Sequence, residues 1–111
     1  MRKLTVTIAD FDKAVKVINA AIKAKRDYSI VTTCAVSQAA RRTWKIKVSS
    51  CRTSVSSYRN VPGELLDKVQ RFKPIAADAA RFGQFVDAFD YAPFRSKAKA
   101  MLPLTVTLEP L

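Results

Sequence analysis

Seven residues near the middle of this chain have the chemistry to hold phosphate: Arg41, Arg42, Lys45, Lys47, Arg52, Tyr58 and Arg59. Guanidinium and ammonium groups pair with phosphate oxygens, and a tyrosine ring among them can stack on a base. They belong to a strongly basic stretch. From Lys23 to Arg59 there are nine cations and one acid, Asp27, so this stretch holds +8 of a net charge of +11. Arg95, Lys97 and Lys99 add a second run. Charge gathered in this way selects an anion: nucleic acid, a phosphorylated nucleotide, or an acidic protein surface. The same charge also fits a solvated surface that keeps a small domain soluble.

Catalytic chemistry is thinly represented. The chain has no histidine, which removes the commonest general base and the commonest metal ligand. Asp87 and Asp90 stand three apart on a predicted helix, a spacing that ordinary solvated acids also show. Cys34 falls at a predicted helix start, where a thiolate is favoured, yet no histidine is there to activate it. Cys34 and Cys51 match no zinc spacing, and two glycines exclude a Gly-rich phosphate loop. The expectation is a binding protein with no catalytic residues, no metal and no cofactor. Two thiols that build no disulfide framework fit a reducing compartment, the cytoplasm. Met1-Arg2-Lys3 leads straight into an alternating strand, so no secretory leader is predicted, and no apolar run is long enough to span a membrane.

The elements that must position these residues follow from periodicity. Leu4, Val6 and Ile8 alternate with Thr5 and Thr7, a half-buried strand. Asp10 is placed to cap a helix whose stripe is Phe11, Ala14, Val15, Ile18, Ala21 and Ile22. Thr32 and Thr33 precede a second helix that ends at Arg41 and Arg42. Trp44, Ile46 and Val48 alternate with Lys45 and Lys47, a second strand with its tryptophan inward. A turn near Ser50 to Arg52 leads to a third strand, Thr53 to Tyr58, forming a hairpin. In that strand Tyr58 falls on the polar side with Lys45 and Lys47. Glu64 to Phe72 reads as a short helix between Pro62 and Pro74, and Ile75 to Asp90 as the last helix. Gly83 inside it suits the close approach of a neighbour. Leu104 to Leu108 closes the chain as a fourth strand.

The order β-α-α-β-β-α-α-β over residues 1–111 predicts one α+β domain. Its four-stranded, mostly antiparallel sheet carries helices on one face. The other face carries Thr5, Thr7, Lys45, Lys47, Thr105 and Thr107. The two terminal strands read as sheet edges, which makes a homo-oligomer an expectation as well.

Two stretches carry a family likeness. Cys34-Ala-Val-Ser-Gln-Ala-Ala-Arg-Arg42 followed by Lys45-Ile-Lys-Val48 is one; Phe82-Gly-Gln-Phe-Val-Asp-Ala-Phe-Asp90 leading to Leu104–Leu108 is the other. They resemble a class of small bacteriophage-encoded single-domain proteins. The chain departs from that class at Ala35, where proline is usual, and in the long segment from Val61 to Lys73. The resemblance implies a phage origin, the host cytoplasm and an accessory role, and it transfers no residue role. Three functions follow: nucleic-acid binding through the basic surface, sequestration of a nucleotide signal as an anti-defence protein, or inhibition by docking on an acidic host protein.

Overall fold

The computed structural model describes residues 1–45, 47–58 and 70–111. Its period-two segments become five strands: β1 (Arg2–Val6), β2 (Lys47–Ser50), β3 (Val55–Tyr58), β4 (Arg71–Pro74) and β5 (Leu104–Pro110). They form one sheet in the spatial order β1-β5-β4-β3-β2, with every neighbouring pair antiparallel. Leu4, Val6, Val48, Val55, Phe72, Leu104, Val106 and Leu108 are buried on one side. Side chains alternate along a strand, so the polar residues between them occupy the other side.

Helices cover the apolar side. They are α1 (Ile8–Lys23), α2 (Ile30–Thr33), α3 (Ala35–Trp44), α4 (Ala76–Asp90) and α5 (Arg95–Ala100), with a 3-10 turn at Ala92–Phe94. Phe82, Phe85 and Phe89 line one flank of α4 and are fully buried. Phe89 meets Phe11 of α1 edge to face, at 5.4 Å, a favoured aromatic geometry. The alanines at 35, 39 and 40 let α3 sit close to α1 and the sheet. No helix among the described residues is long and apolar enough to cross a membrane.

The structure corrects the expected architecture in four places. The sheet has five strands, not four, because Arg71-Phe72-Lys73-Pro74 is a strand and not the end of a helix. Its alternation buries Phe72 and Pro74 and exposes Arg71 and Lys73. Pro74 is tolerated there because β3 begins at Val55, opposite Phe72. The missing N–H of Pro74 points past the end of β3, where no ladder bond is needed. The rest of the expected helix, Glu64 to Val69, lies outside the described residues. Second, α3 continues through Trp44. Lys45 ends it in the left-handed region, at φ 58°, so β2 starts only at Lys47. Third, Thr7 and not Asp10 is the N-cap of α1, and β1 stops at Val6. Last, β5 is interior, lying between β1 and β4.

Asp10 then serves as the third residue of a capping box. The Thr7 hydroxyl accepts from the Asp10 N–H, and the Asp10 carboxylate accepts from the Thr7 N–H. The same buried carboxylate receives two bonds from Arg42, Nε to Oδ1 and Nη2 to Oδ2, both 2.9 Å. Arg42 Nη2 also donates to the Thr5 carbonyl on the outer edge of β1, at 3.0 Å. One ion pair therefore joins β1, the start of α1 and the last turn of α3.

A second carboxylate completes β5 where β4 leaves it. Asp78 Oδ2 accepts from the Thr107 N–H at 2.8 Å, and its other oxygen pairs with Arg81. Ile75 donates its N–H to the Thr107 carbonyl. The start of α4 thus stands in for a strand along β5. The Thr107 N–H, followed by Arg81, holds the Asp78 carboxyl below the usual range.

Arg42→Met should cost about 2 kcal/mol in urea unfolding at neutral pH, because it leaves a buried carboxylate without its cation. Burial pushes the Asp10 carboxyl up, but Arg42 and Thr7 together hold it below its ordinary value. A group depressed in the folded state contributes stability above the ordinary carboxylate range, lost as pH falls through the folded value. Acid unfolding of Arg42→Met should therefore begin at a higher pH than that of the native chain. Equal stability and an unchanged acid limb would show that the pair contributes nothing.

Candidate functional site

The polar side of the sheet is a face of cations and hydroxyls. Lys3 stands on β1, Lys47 on β2, and Arg71 and Lys73 on β4, all exposed. Between them lie Thr5, Thr105 and Thr107, and the serines at 49 and 56. The register places Arg71 beside Ser56, and Ser56 beside Ser49. Thr5 and Thr105 meet hydroxyl to hydroxyl at 2.9 Å. Strands stand ~4.8 Å apart and alternate side chains repeat every ~6.6 Å, so Arg71 is roughly 12 Å from Lys47 and roughly 7 Å from Lys73. The single acid in this group, Glu109, reaches Lys73 at 3.7 Å. Lys3, Lys47 and Arg71 have no carboxylate partner among the described residues.

The junction from α3 to β2 extends this face at one end. Arg41 and Trp44 are three residues apart and share a side of α3. Trp44 is partly buried against Phe72, with ring centroids 6.2 Å apart. The Arg2 guanidinium lies over both rings, 5.4 Å from Trp44 and 5.3 Å from Phe72. The left-handed turn at Lys45 then swings the chain from helix into strand. This places Arg41, Lys45 and Lys47 in sequence where α3 passes into β2, with Arg71 two strands in from β2.

The seven residues singled out from the sequence therefore divide. Arg41, Lys45 and Lys47 come together at this end. Tyr58 stands opposite Lys47 in the β2–β3 register. Arg59 lies outside the described residues. Arg42 is spent on Asp10. Arg52 is on the turn at the far end of the hairpin, roughly 15 Å along the strand from Lys47, and pairs with Asp87 at 3.5 Å. Of the residues expected on the polar face, Thr7 has become a helix cap and Lys45 a helix end. Lys3, Arg71 and Lys73 were missed. The signal for the last two was the alternation in Arg71-Phe72-Lys73-Pro74, overlooked in favour of a helix.

The far turn has its own character. Gly83 of α4 is what admits it: a Cβ at this position would stand 3.3 Å from the Arg52 carbonyl oxygen. Arg52, Thr53, Ala79, Ala80, Gly83, Gln84 and Asp87 line an open cleft there of about 360 Å³. Cys51 precedes it, exposed, with its sulfur 3.2 Å from the Ser54 hydroxyl and 3.5 Å from that of Thr53. The Ser54 bond outweighs partial burial and, with Thr53, lowers the thiol pKa to about 7. Cys34 is the buried counterpart, 2.9 Å from the Ser50 hydroxyl. Partial burial, then the Asp87 charge, pushes Asp90 up, against the pull of Arg95.

Alkylation of the folded protein should modify Cys51 and spare Cys34. The Cys51 rate should rise with a midpoint near pH 7, and Ser54→Ala should move that midpoint toward the ordinary thiol value of about 8.5. Mass spectrometry of the alkylated peptides reads both. A native midpoint already near 8.5 would contradict the hydrogen-bonded thiolate.

Comparison of the chain with protein-family models, with curated proteins and with solved structures finds no match.

Proposed function

We propose that this domain is a non-catalytic nucleic-acid-binding protein that grips the phosphate backbone with the polar sheet face and the α3–β2 junction. One observation carries the reading: Lys3, Lys47 and Arg71 stand exposed on the polar sheet face, and Arg41 and Lys45 at the junction that leads into it, with no carboxylate partner among the described residues. Arg59, Glu64, Asp67 and Lys68 cancel one another, so the described residues hold the whole +11. Five carboxylates are already engaged, by Arg42, Arg52, Lys73, Arg81 and Lys99. What they leave is an excess of lysine and arginine presented to solvent. Cations spread over a shallow face contact phosphates, which lie on the outside of any nucleic acid, and such contacts carry no sequence information. The hydroxyls between them add short-range hydrogen bonds to the same oxygens.

An accessory protein of the kind phages encode fits this description. Capture of a free nucleotide is the second reading, favoured by the half-buried Trp44 ring at the basic rim, on which a base can stack. It ranks below the first because the Arg2 guanidinium already lies over that ring.

Salt dependence separates the readings. Binding of a labelled duplex through about five phosphates should give a slope near −4.5 in log K against log salt. Lys47→Glu and Arg71→Glu should each weaken binding on every sequence tried and lower the slope by about one. Arg52→Ala should leave both affinity and slope unchanged. Reversals that alter neither quantity would show a merely solvated face. Tight binding of a mononucleotide with a shallow slope would favour the second reading.

A further inference from the structure

The cations of this chain fall on both broad sides of a thin body. The Cα extents are 36 × 36 × 19 Å. On the helical side α1 buries Asp10, Phe11, Ala14, Ile18 and Ala21. At 100° per residue, Lys13, Lys16 and Lys23 lie on the opposite side of that helix, with Ala20 between them. All three are exposed. They span ~15 Å of helix and have no carboxylate partner among the described residues. Lys99 reaches Asp12 of α1 at 3.4 Å and lies over Phe11, so α5 runs beside the start of α1. Lys97, two residues before it, is exposed beside Phe94.

We infer that the domain bridges two nucleic-acid segments, one on the polar sheet face and one along the Lys13, Lys16 and Lys23 row of the helical face. The inference rests on the proposed function and adds a second site of the same ligand class. Charge complementarity identifies the occupant. Each side presents several unpaired cations, and the only acid in the row, Asp12, is taken by Lys99. The thickness of the body makes double occupancy feasible. At physiological salt the screening length is about 8 Å, below even the smallest Cα extent of the body, 19 Å. Two bound backbones therefore repel each other weakly, and each meets its own row of cations.

The test immobilises one duplex of about 30 base pairs and asks whether the protein retains a second, labelled duplex of the same length at physiological salt. The native chain should retain it. Lys13→Glu, Lys16→Glu and Lys23→Glu combined should lose retention at least tenfold, while binding to a single duplex stays within about twofold. The corresponding Lys→Gln variant, whose melting temperature is measured alongside, guards against unfolding and should also lose retention. Mixing the triple Glu variant with a Lys47→Glu, Arg71→Glu variant should not restore it, because each bridge needs both faces on one chain. Restoration by mixing, or retention by the triple variants, would overturn the inference in favour of bridging through self-association. Single-duplex binding by the native chain with no retention of the second would overturn the inference alone. No binding to the first duplex would overturn it together with the proposed function.

Discussion

A carboxylate that turns inward must be answered, and the answer to Asp10 organises this fold. Its side chain is 4% exposed, closes the capping box of α1, and takes both prongs of the Arg42 guanidinium. Bidentate pairing fixes direction as well as distance, so α3 has one orientation relative to β1. The third bond of Arg42, to the Thr5 carbonyl, occupies the outer edge of β1. Because Arg42 is held here, its neighbour Arg41, about 100° around the helix, is left on the side that also bears Trp44. The placement of Lys45 and Lys47 at the end of the sheet follows from where this helix is forced to stop.

The second constraint is the pairing of the chain ends. Residues 2–6 and 104–108 lie side by side in register, which puts the last strand inside the sheet, next to the β1 edge. Strand β5 then needs a partner on its other side, and β4 supplies one for only three residues. Asp78 and Arg81, with the Ile75 N–H, supply the remainder. A two-layer body built in this way has one apolar interior and two solvated sides. With +11 to distribute and most carboxylates tied into structural pairs, both solvated sides become basic.

How much of this was legible in the sequence varied with the distance over which each choice was decided. The terminal strands, the α1 stripe as far as Ala21 and the phenylalanine flank of α4 were readable, because local alternation and the 3.6-residue period decide them, while Ile22, expected in that stripe, is exposed. The α3–β2 boundary was not, because Trp44 satisfies either period and its place was set by contact with Phe72, 28 positions away. The strand at Arg71–Pro74 was obscured by a proline, whose tolerance depends on where β3 begins. Among the candidate site residues, Arg41, Lys45 and Lys47 were found from charge density alone. Charge density could not show that Arg42 belongs to Asp10 or Arg52 to Asp87, since those acids are 32 and 35 positions away. Nor could it find Lys3, which sits outside the basic stretch and joins the face only through the β1–β5 pairing.

The claim that the polar sheet face holds the phosphate backbone is tested most directly by amide chemical-shift mapping of the native chain titrated with a short duplex. The largest changes should fall on β2 and β4 around Lys47 and Arg71, on Lys3, and at Arg41 and Lys45, with the turn at Arg52 undisturbed. Saturable binding that leaves these strands unshifted would contradict the account.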